Sequence, residues 1–397
     1  MKIEKITFVI PSRNNLEFLR LAYTSIKNLK GNHEILVLND ASEDGTGEWL
    51  DSLDDSSLLV YTNPGPERVG IVGMWDKGIE LATTDIILAF HADMVAGQNL
   101  DINLLKHLEK GKVVSATRIE PPLHPPGPEK ITKDFGDEAE NFKENNFLHF
   151  VRNAVKAYKN KTTEGIFAPW CMYKNDYLEI GGHDKLFAPQ SREDSDLFNR
   201  FLLNGYELIQ SRDAFVYHFT SRGSRYNKYA GGDTGKDSLE WQQTNQKNMR
   251  NFIRKWGHYV KHDEMMKPII PPKYDICFVV DKCTLEILEA LEPWCSRIYV
   301  EEPDINIIDY IAKEQKNTLY NLQSRIWYNH GEARLDHDIV VEFDASKVTN
   351  DNFQFLTQLS EVLQDSGEVD EVMEYDIFEI VINSLKTYEK DLIKCGV

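Results

Sequence analysis

Five consecutive apolar residues, Ile86 to Phe90, run directly into His91-Ala92-Asp93. A short unbroken apolar run marks a strand buried on both faces, as in the middle of a parallel sheet. Open α/β sheets take their ligands at the carboxyl ends of such strands. His91 and Asp93 stand at that end. The same residues would also suit an ordinary polar turn, so the reading depends on what surrounds them.

The surrounding chain alternates strand and helix. Ile6–Ile10, Glu34–Leu38, Leu58–Tyr61 and Lys112–Thr117 have strand character. Between them, Leu16, Leu19, Tyr23, Ile26 and Leu29 recur at helical spacing, and Gly70–Ala82 reads as a glycine-containing helix. This alternation predicts an α/β fold with a mostly parallel sheet and helices on both faces. The rhythm breaks at Glu120-Pro-Pro-Leu-His-Pro-Pro-Gly-Pro128, which turns acidic through Glu140. A long irregular excursion inside a domain is usually functional or disordered; an acceptor-side lid is expected here. Glu193-Asp194-Ser195-Asp196 opens a further helix, and Ala214–His218 is a short strand. Ser221–Lys228 is a basic loop, and Lys267-Pro-Ile-Ile-Pro-Pro-Lys273 reads as a linker. The expected domains are 1–262, a linker at 263–273, and a smaller C-terminal α/β domain at 274–397.

Charge narrows the partners. Among 397 residues the formal net charge is -19, which argues against a broad nucleic-acid-binding face. Five cysteines without a CxxC pair suit a reduced compartment. No apolar run approaches the ~20 residues that span a bilayer. The chain is therefore expected to be cytoplasmic, with membrane association only peripheral.

Four polar clusters fall at strand ends or helix starts: Asp40/Asp44, His91/Asp93, Glu193/Asp194/Asp196 and His218. Each has a purely structural alternative. Asp40 could fix a turn, and Glu193 and Asp194 could merely complement a helix dipole. A lone histidine is more often structural than a ligand.

In order and spacing, the clusters resemble the family 2 glycosyltransferases of the GT-A fold, over roughly residues 5–220. Phe8-Val-Ile-Pro11 with Asn14 looks like the opening strand and turn of that family. Asp40-Ala-Ser-Glu-Asp44-Gly-Thr46 resembles its D-x-S-x-D-x-T loop, and Gly70, Gly78 and Ala82 its next helix. Gly181-Gly182-His183-Asp184, then Glu193-Asp194-Ser195-Asp196-Leu197 and Arg200, resembles G-G-F-D…E-D-x-D-L…R, a pattern shared with the galactosyltransferase C-terminal family. The resemblance implies an inverting, metal-dependent transferase that moves a sugar from a nucleotide-diphosphate donor, UDP-linked by expectation, to a glycan or glycolipid hydroxyl. Mn2+ or Mg2+ would be held by Asp93 and His218. Asp194 would be the general base, with Glu193 beside it in the catalytic pair. Donor contacts are implied for Pro11, Arg13, Asp40, Asp44, Gly70, Asp76, His91, Arg222 and Arg225.

The sequence departs from the family where its first DxD aspartate is His91, and where Trp75-Asp76 replaces Arg-Asn. A sugar nucleotidyltransferase would need a G-x-G-T-R-like opening, which Pro11-Ser12-Arg13-Asn14 is not. A non-catalytic glycan-binding protein on the same fold would be expected to lack Asp93 or Asp194, and both are present.

Residues 274–397 echo the N-terminal half. Ile276–Val280 parallels Ile6–Ile10, Ile298–Val300 parallels Ile35–Val37, and Asp338–Ser346 parallels Asp85–Asp93. Trp327…Gly331 is set against Trp75…Gly78. A degenerate, non-catalytic copy of the nucleotide-binding half is expected, working in packing, acceptor placement or homo-oligomer formation. The idea requires concordant strand order in 275–375 and 5–118.

Overall fold

The computed structural model describes residues 3–301, 306–328, 337–393 and 395. Two compact units emerge: Met1–Asn245 with His262–Pro268, and Gln246–Lys261 with Ile269–Val397.

The first unit is built on one ten-stranded sheet. Its strands are β1 (Ile6–Ser12), β2 (Glu34–Asp40), β3 (Leu58–Asn63), β4 (Ile86–Ala89), β5 (Met94–Ala96), β6 (Lys112–Glu120), β7 (Lys130–Thr132), β8 (Thr162–Glu164), β9 (Trp170–Tyr173) and β10 (Glu207–His218). They lie in the order β3-β2-β1-β4-β9-β6-β10-β5, with β7 on β6 and β8 on β10. β1 pairs in parallel with β2 and β4, and β6 with β10, whereas β9 runs antiparallel between β4 and β6. The apolar run works as expected: Ile86 to Phe90 are all buried. Helix Leu16–Lys27 buries Leu19, Ala22 and Ile26, and helix Ile71–Leu81 buries Val72, Trp75 and Ile79, each set at helical spacing. Gly78 lets the second helix approach the sheet, since a Cβ there would meet Val9 Cγ1 at 2.4 Å and Leu38 Cδ2 at 2.8 Å.

The last strand is longer than expected. β10 begins at Glu207 and crosses a bulge between Ser211 and Phe215 before reaching His218. Asp213 anchors the bulge through Lys106 and the Asn160 amide. The polar Ser211-Arg212-Asp213 sequence interrupts the apolar pattern, so only Ala214–His218 reads as strand from the sequence.

The second unit has β11 (Ile276–Asp281), β12 (Arg297–Val300), β13 (Ile326–Tyr328), β14 (Ile339–Asp344), β15 (Glu371–Tyr375) and β16 (Phe378–Ile382), in the order β13-β12-β11-β14-β16-β15. Its strand order and strand directions repeat six strands of the first sheet, β3-β2-β1-β4-β9-β6, and the registers among β11, β12 and β14 repeat those among β1, β2 and β4. Ile6 lies opposite Ile86, and Ile276 opposite Ile339. Phe8 lies opposite Ile35, and Phe278 opposite Ile298. Leu88 pairs with Cys171 and Cys171 with Val114; Val341 pairs with Ile380 and Ile380 with Met373. One part of the expected echo fails. Trp327 sits on strand β13, which takes the place of β3, whereas Trp75 is helical. Gly331 lies outside the described residues.

Candidate active site

Strand register assembles the centre. After β4 the chain turns through His91-Ala92-Asp93, with the Met94 amide donating to the His91 carbonyl at 3.1 Å. β5 then pairs antiparallel with β10, setting His218 opposite Met94 and so beside Asp93. One ligand atom from each of His91, Asp93 and His218 lies within 4.8 Å of the others. His218 Nε2 and Asp93 Oδ1 are 3.6 Å apart, beyond direct hydrogen-bond range. The other Asp93 oxygen accepts the Arg222 amide at 2.9 Å.

Two imidazoles and a carboxylate suit a divalent transition ion. Burial pushes His91 down, which keeps its ring neutral and able to donate a lone pair. Burial would also lower His218, but Asp93 and Glu120 together carry it up to about 9, so a proton occupies this carboxylate-flanked position when no cation does. Burial opposes ionisation of Asp93, yet His218 holds its carboxyl down at about 2.

These residues line a cleft of about 470 Å³. Pro11, Arg13 and Asp40 line it from the β1 and β2 ends, Gly70 from the start of helix Ile71–Leu81, Glu193 and Asp194 from the first turn of helix Glu193–Leu203, and Arg225 from the basic loop. Arg118, Glu120, His124, Glu129 and Lys130 also line it. The proline-rich insert thus supplies part of the wall. Ser12 Oγ, Asn15 Nδ2, Arg192 Nε and Glu193 Oε2 are buried at the cleft without hydrogen-bond partners among the described residues. Buried polar atoms are normally paired, so such a set marks a cleft shaped for a polar ligand. Ser191 and Arg192 enter the helix with φ of 78° and 72°, two successive left-handed non-glycine residues. Backbone strain of this kind clusters at functional sites.

The two adjacent carboxylates are not equivalent. Burial first, and Asp194 second, push Glu193 up to about 8. Glu193 therefore holds its proton more tightly than an ordinary carboxyl and is the poorer base of the two, whereas Asp194 is only partly buried and reaches the cleft. This has a consequence for stability. The fold holds a proton that the unfolded chain releases near its ordinary pKa of about 4.3. The resulting stabilisation is complete below that value and is lost as pH rises through about 8. Glu193→Gln keeps the neutral form, so its melting temperature should fall less than that of the wild type between pH 6 and pH 9, by about 3 °C. Equal slopes in thermal melts would mean that Glu193 is ionised in the fold.

Four expected contacts are placed differently. Asp44 does not line this cleft; it binds the Leu16 amide at 2.8 Å and Thr46, holding its own loop against the first helix. Asp76 is also outside it, accepting from Tyr177 Oη at 2.5 Å and the His183 amide at 3.0 Å. It ties the Gly181–Asp184 turn to helix Ile71–Leu81. The Arg222 guanidinium points away to Glu138, Thr234 and the Asp137 carbonyl, so only its backbone serves the centre. His91, expected at the donor, belongs with Asp93 and His218. Asp40 does line the cleft, but its carboxylate already accepts from Asn63 Nδ2, Val69 N and Gly70 N, each at 2.8 Å. Trp170 is a core residue packed on Trp75, Tyr177 and Phe201. Sequence reasoning missed Arg118 and Glu120. Their signal was alternation: either side of fully buried Ile119, they share the opposite face of β6.

Residues 7–171 match Glycosyl transferase family 2. A curated relative, the undecaprenyl-phosphate mannosyltransferase of Micrococcus luteus, is 26% identical over 92 residues, which are 22% of this chain and 38% of the relative. One similar solved structure is GalNAc-T7 with UDP, GalNAc and Mn2+: TM-score 0.41 and 12% identity, covering 54% of this chain and 43% of that one. Another is the mannosyltransferase PcManGT from Pyrobaculum calidifontis in complex with GDP-Man and Mn2+: TM-score 0.40 and 18% identity, covering 63% of each chain. No described helix is long and apolar enough to cross a membrane.

Proposed function

We propose, from the premise that residues 7–171 form a glycosyl transferase family 2 domain, that the first unit is an inverting, metal-dependent GT-A transferase acting from a nucleotide-diphosphate sugar on a hydroxyl of a glycan or glycolipid. The observation that carries this is the placing of His91, Asp93 and His218 in one cleft with Asp194. Two nitrogen ligands favour Mn2+ over Mg2+, which prefers an all-oxygen shell. A cation held there would neutralise the diphosphate as it departs. Pro11, Arg13, Asp40 and Gly70 form the nucleotide end, with UDP the first candidate, and Arg225 adds positive charge from the loop. Asp194 takes the proton from the acceptor hydroxyl. The oxygen attacks the anomeric carbon from the face opposite the diphosphate, and the carbon–phosphate-oxygen bond breaks with its electron pair on the diphosphate.

The second unit is proposed to be a degenerate copy of the nucleotide-binding half. The support is the shared strand order and pairing registers. In the aligned frame, Asp344 replaces His91 and Ser346 replaces Asp93, and Lys282 Nζ binds the Asp344 carboxylate at 2.7 Å. An ammonium group already occupies the carboxylate that would face a cation, so no second metal site is expected.

Calorimetry with UDP-sugars and GDP-sugars, with and without Mn2+, tests both readings. One donor per chain should bind, and only with the metal; ligand binding should also raise the melting temperature. Metal-independent binding would defeat the first reading, and two sites per chain the second.

A further inference from the structure

We propose that Glu120 is a positioning residue of the cation site, fixing the tautomer and aim of His218. The proposal rests on the cleft being a metal-dependent transferase site.

Glu120 ends β6 and His218 ends β10, and the pairing of Ile119 with Tyr217 brings the two side by side. They are 98 positions apart in sequence. Glu120 is only 2% exposed. Its Oε1 lies 2.9 Å from His218 Nδ1. An Nδ1–H donated to this oxygen leaves Nε2 as the lone pair, and Nε2 is the nitrogen facing Asp93. With no acceptor at Nδ1, the ring proton could sit on Nε2 and close the position to a cation. Ligating histidines are commonly held by a carboxylate in this manner.

The carboxylate is itself immobilised. Arg118 Nη1 binds Oε1 at 2.8 Å and Lys130 Nζ binds Oε2 at 3.0 Å. The Arg118 guanidinium in turn lies 3.8 Å over the Phe167 ring. β6, β7 and the strand that carries His218 therefore converge on one buried acid. Burying a charged group is costly even when it is paired, and an apolar residue would pack this position more cheaply. Aiming a ligand accounts for keeping a charge there.

The experiment is Mn2+ calorimetry on the whole chain in a constant excess of UDP, paired with turnover measured across a Mn2+ titration. Glu120→Gln should weaken Mn2+ binding by about 10–100-fold. Saturating Mn2+ should then restore most of the lost turnover. Unchanged Mn2+ affinity in this variant, with the wild type binding normally, would overturn the proposal alone. So would a turnover loss that excess Mn2+ does not recover, since that indicates a merely structural ion pair. A wild type that binds no Mn2+ would defeat the metal-dependent reading of the cleft and this proposal with it. Should Glu120→Gln fail to fold, Lys130→Met keeps the His218 bond but frees one carboxylate oxygen. A several-fold loss of Mn2+ affinity is expected of it, and no loss would overturn the proposal.

Discussion

Asp93→Asn should remove Mn2+-dependent nucleotide binding, lowering UDP affinity by at least about 100-fold. Asp93 is the one carboxylate in the cluster with His91 and His218. Its loss leaves two neutral imidazoles facing a doubly charged ion and a diphosphate. Asparagine is the informative change because its carbonyl can still accept the Arg222 amide, which Asp93 Oδ2 holds at 2.9 Å. Loop position is then kept while charge is removed. Alanine would also strand that amide, adding roughly 1–3 kcal/mol of unrelated cost. Calorimetry with UDP and Mn2+ decides the matter, and an affinity equal to that of the wild type would end the assignment of Asp93 as the anionic ligand.

Asp194→Asn should lower turnover by about 10²–10⁴-fold, the range expected for loss of a general base. UDP affinity should change only a few-fold, because Asp194 is not in the metal-ligating cluster. The acidic pair makes the result specific. If either carboxylate could serve, Glu193 would rescue the variant. Burial, the larger cause of the raised Glu193 carboxyl, persists in the variant although the Asp194 charge does not, so rescue is not expected. Single-turnover transfer separates the chemical step from donor binding, and an unimpaired rate would reassign the base.

Much of the fold was legible in the sequence because it rests on short-range pattern. Ile86–Phe90 announces a buried strand by its own composition. Leu16, Leu19, Tyr23 and Ile26 announce a helix by their spacing. Repeated alternation of the two implies a parallel sheet with few further choices. Even the second unit could be read this way, since Ile276–Val280 and Ile339–Asp344 carry apolar runs like those of Ile6–Ile10 and Ile86–Phe90. Trp327 misled for the same reason. One tryptophan before a glycine carries no period, and the strand around it is only three residues long.

Side-chain direction was less legible. Asp44, Asp76 and Arg222 have the residue types a nucleotide site uses, yet each is engaged by its own neighbourhood. Polar groups bind whichever partner packing brings nearest, and composition does not record which one that is.

The sequence by itself determined the strand–helix alternation, the strand-end positions of His91 and Asp93, and the pairing of Glu193 with Asp194. Those are local properties of a few adjacent residues. Only the tertiary structure decided that His218 meets Asp93, that Glu120 lies against His218 Nδ1, and that burial sets Glu193 apart from Asp194. These depend on strand register between distant segments and on burial, and both come into being only when the sheet closes.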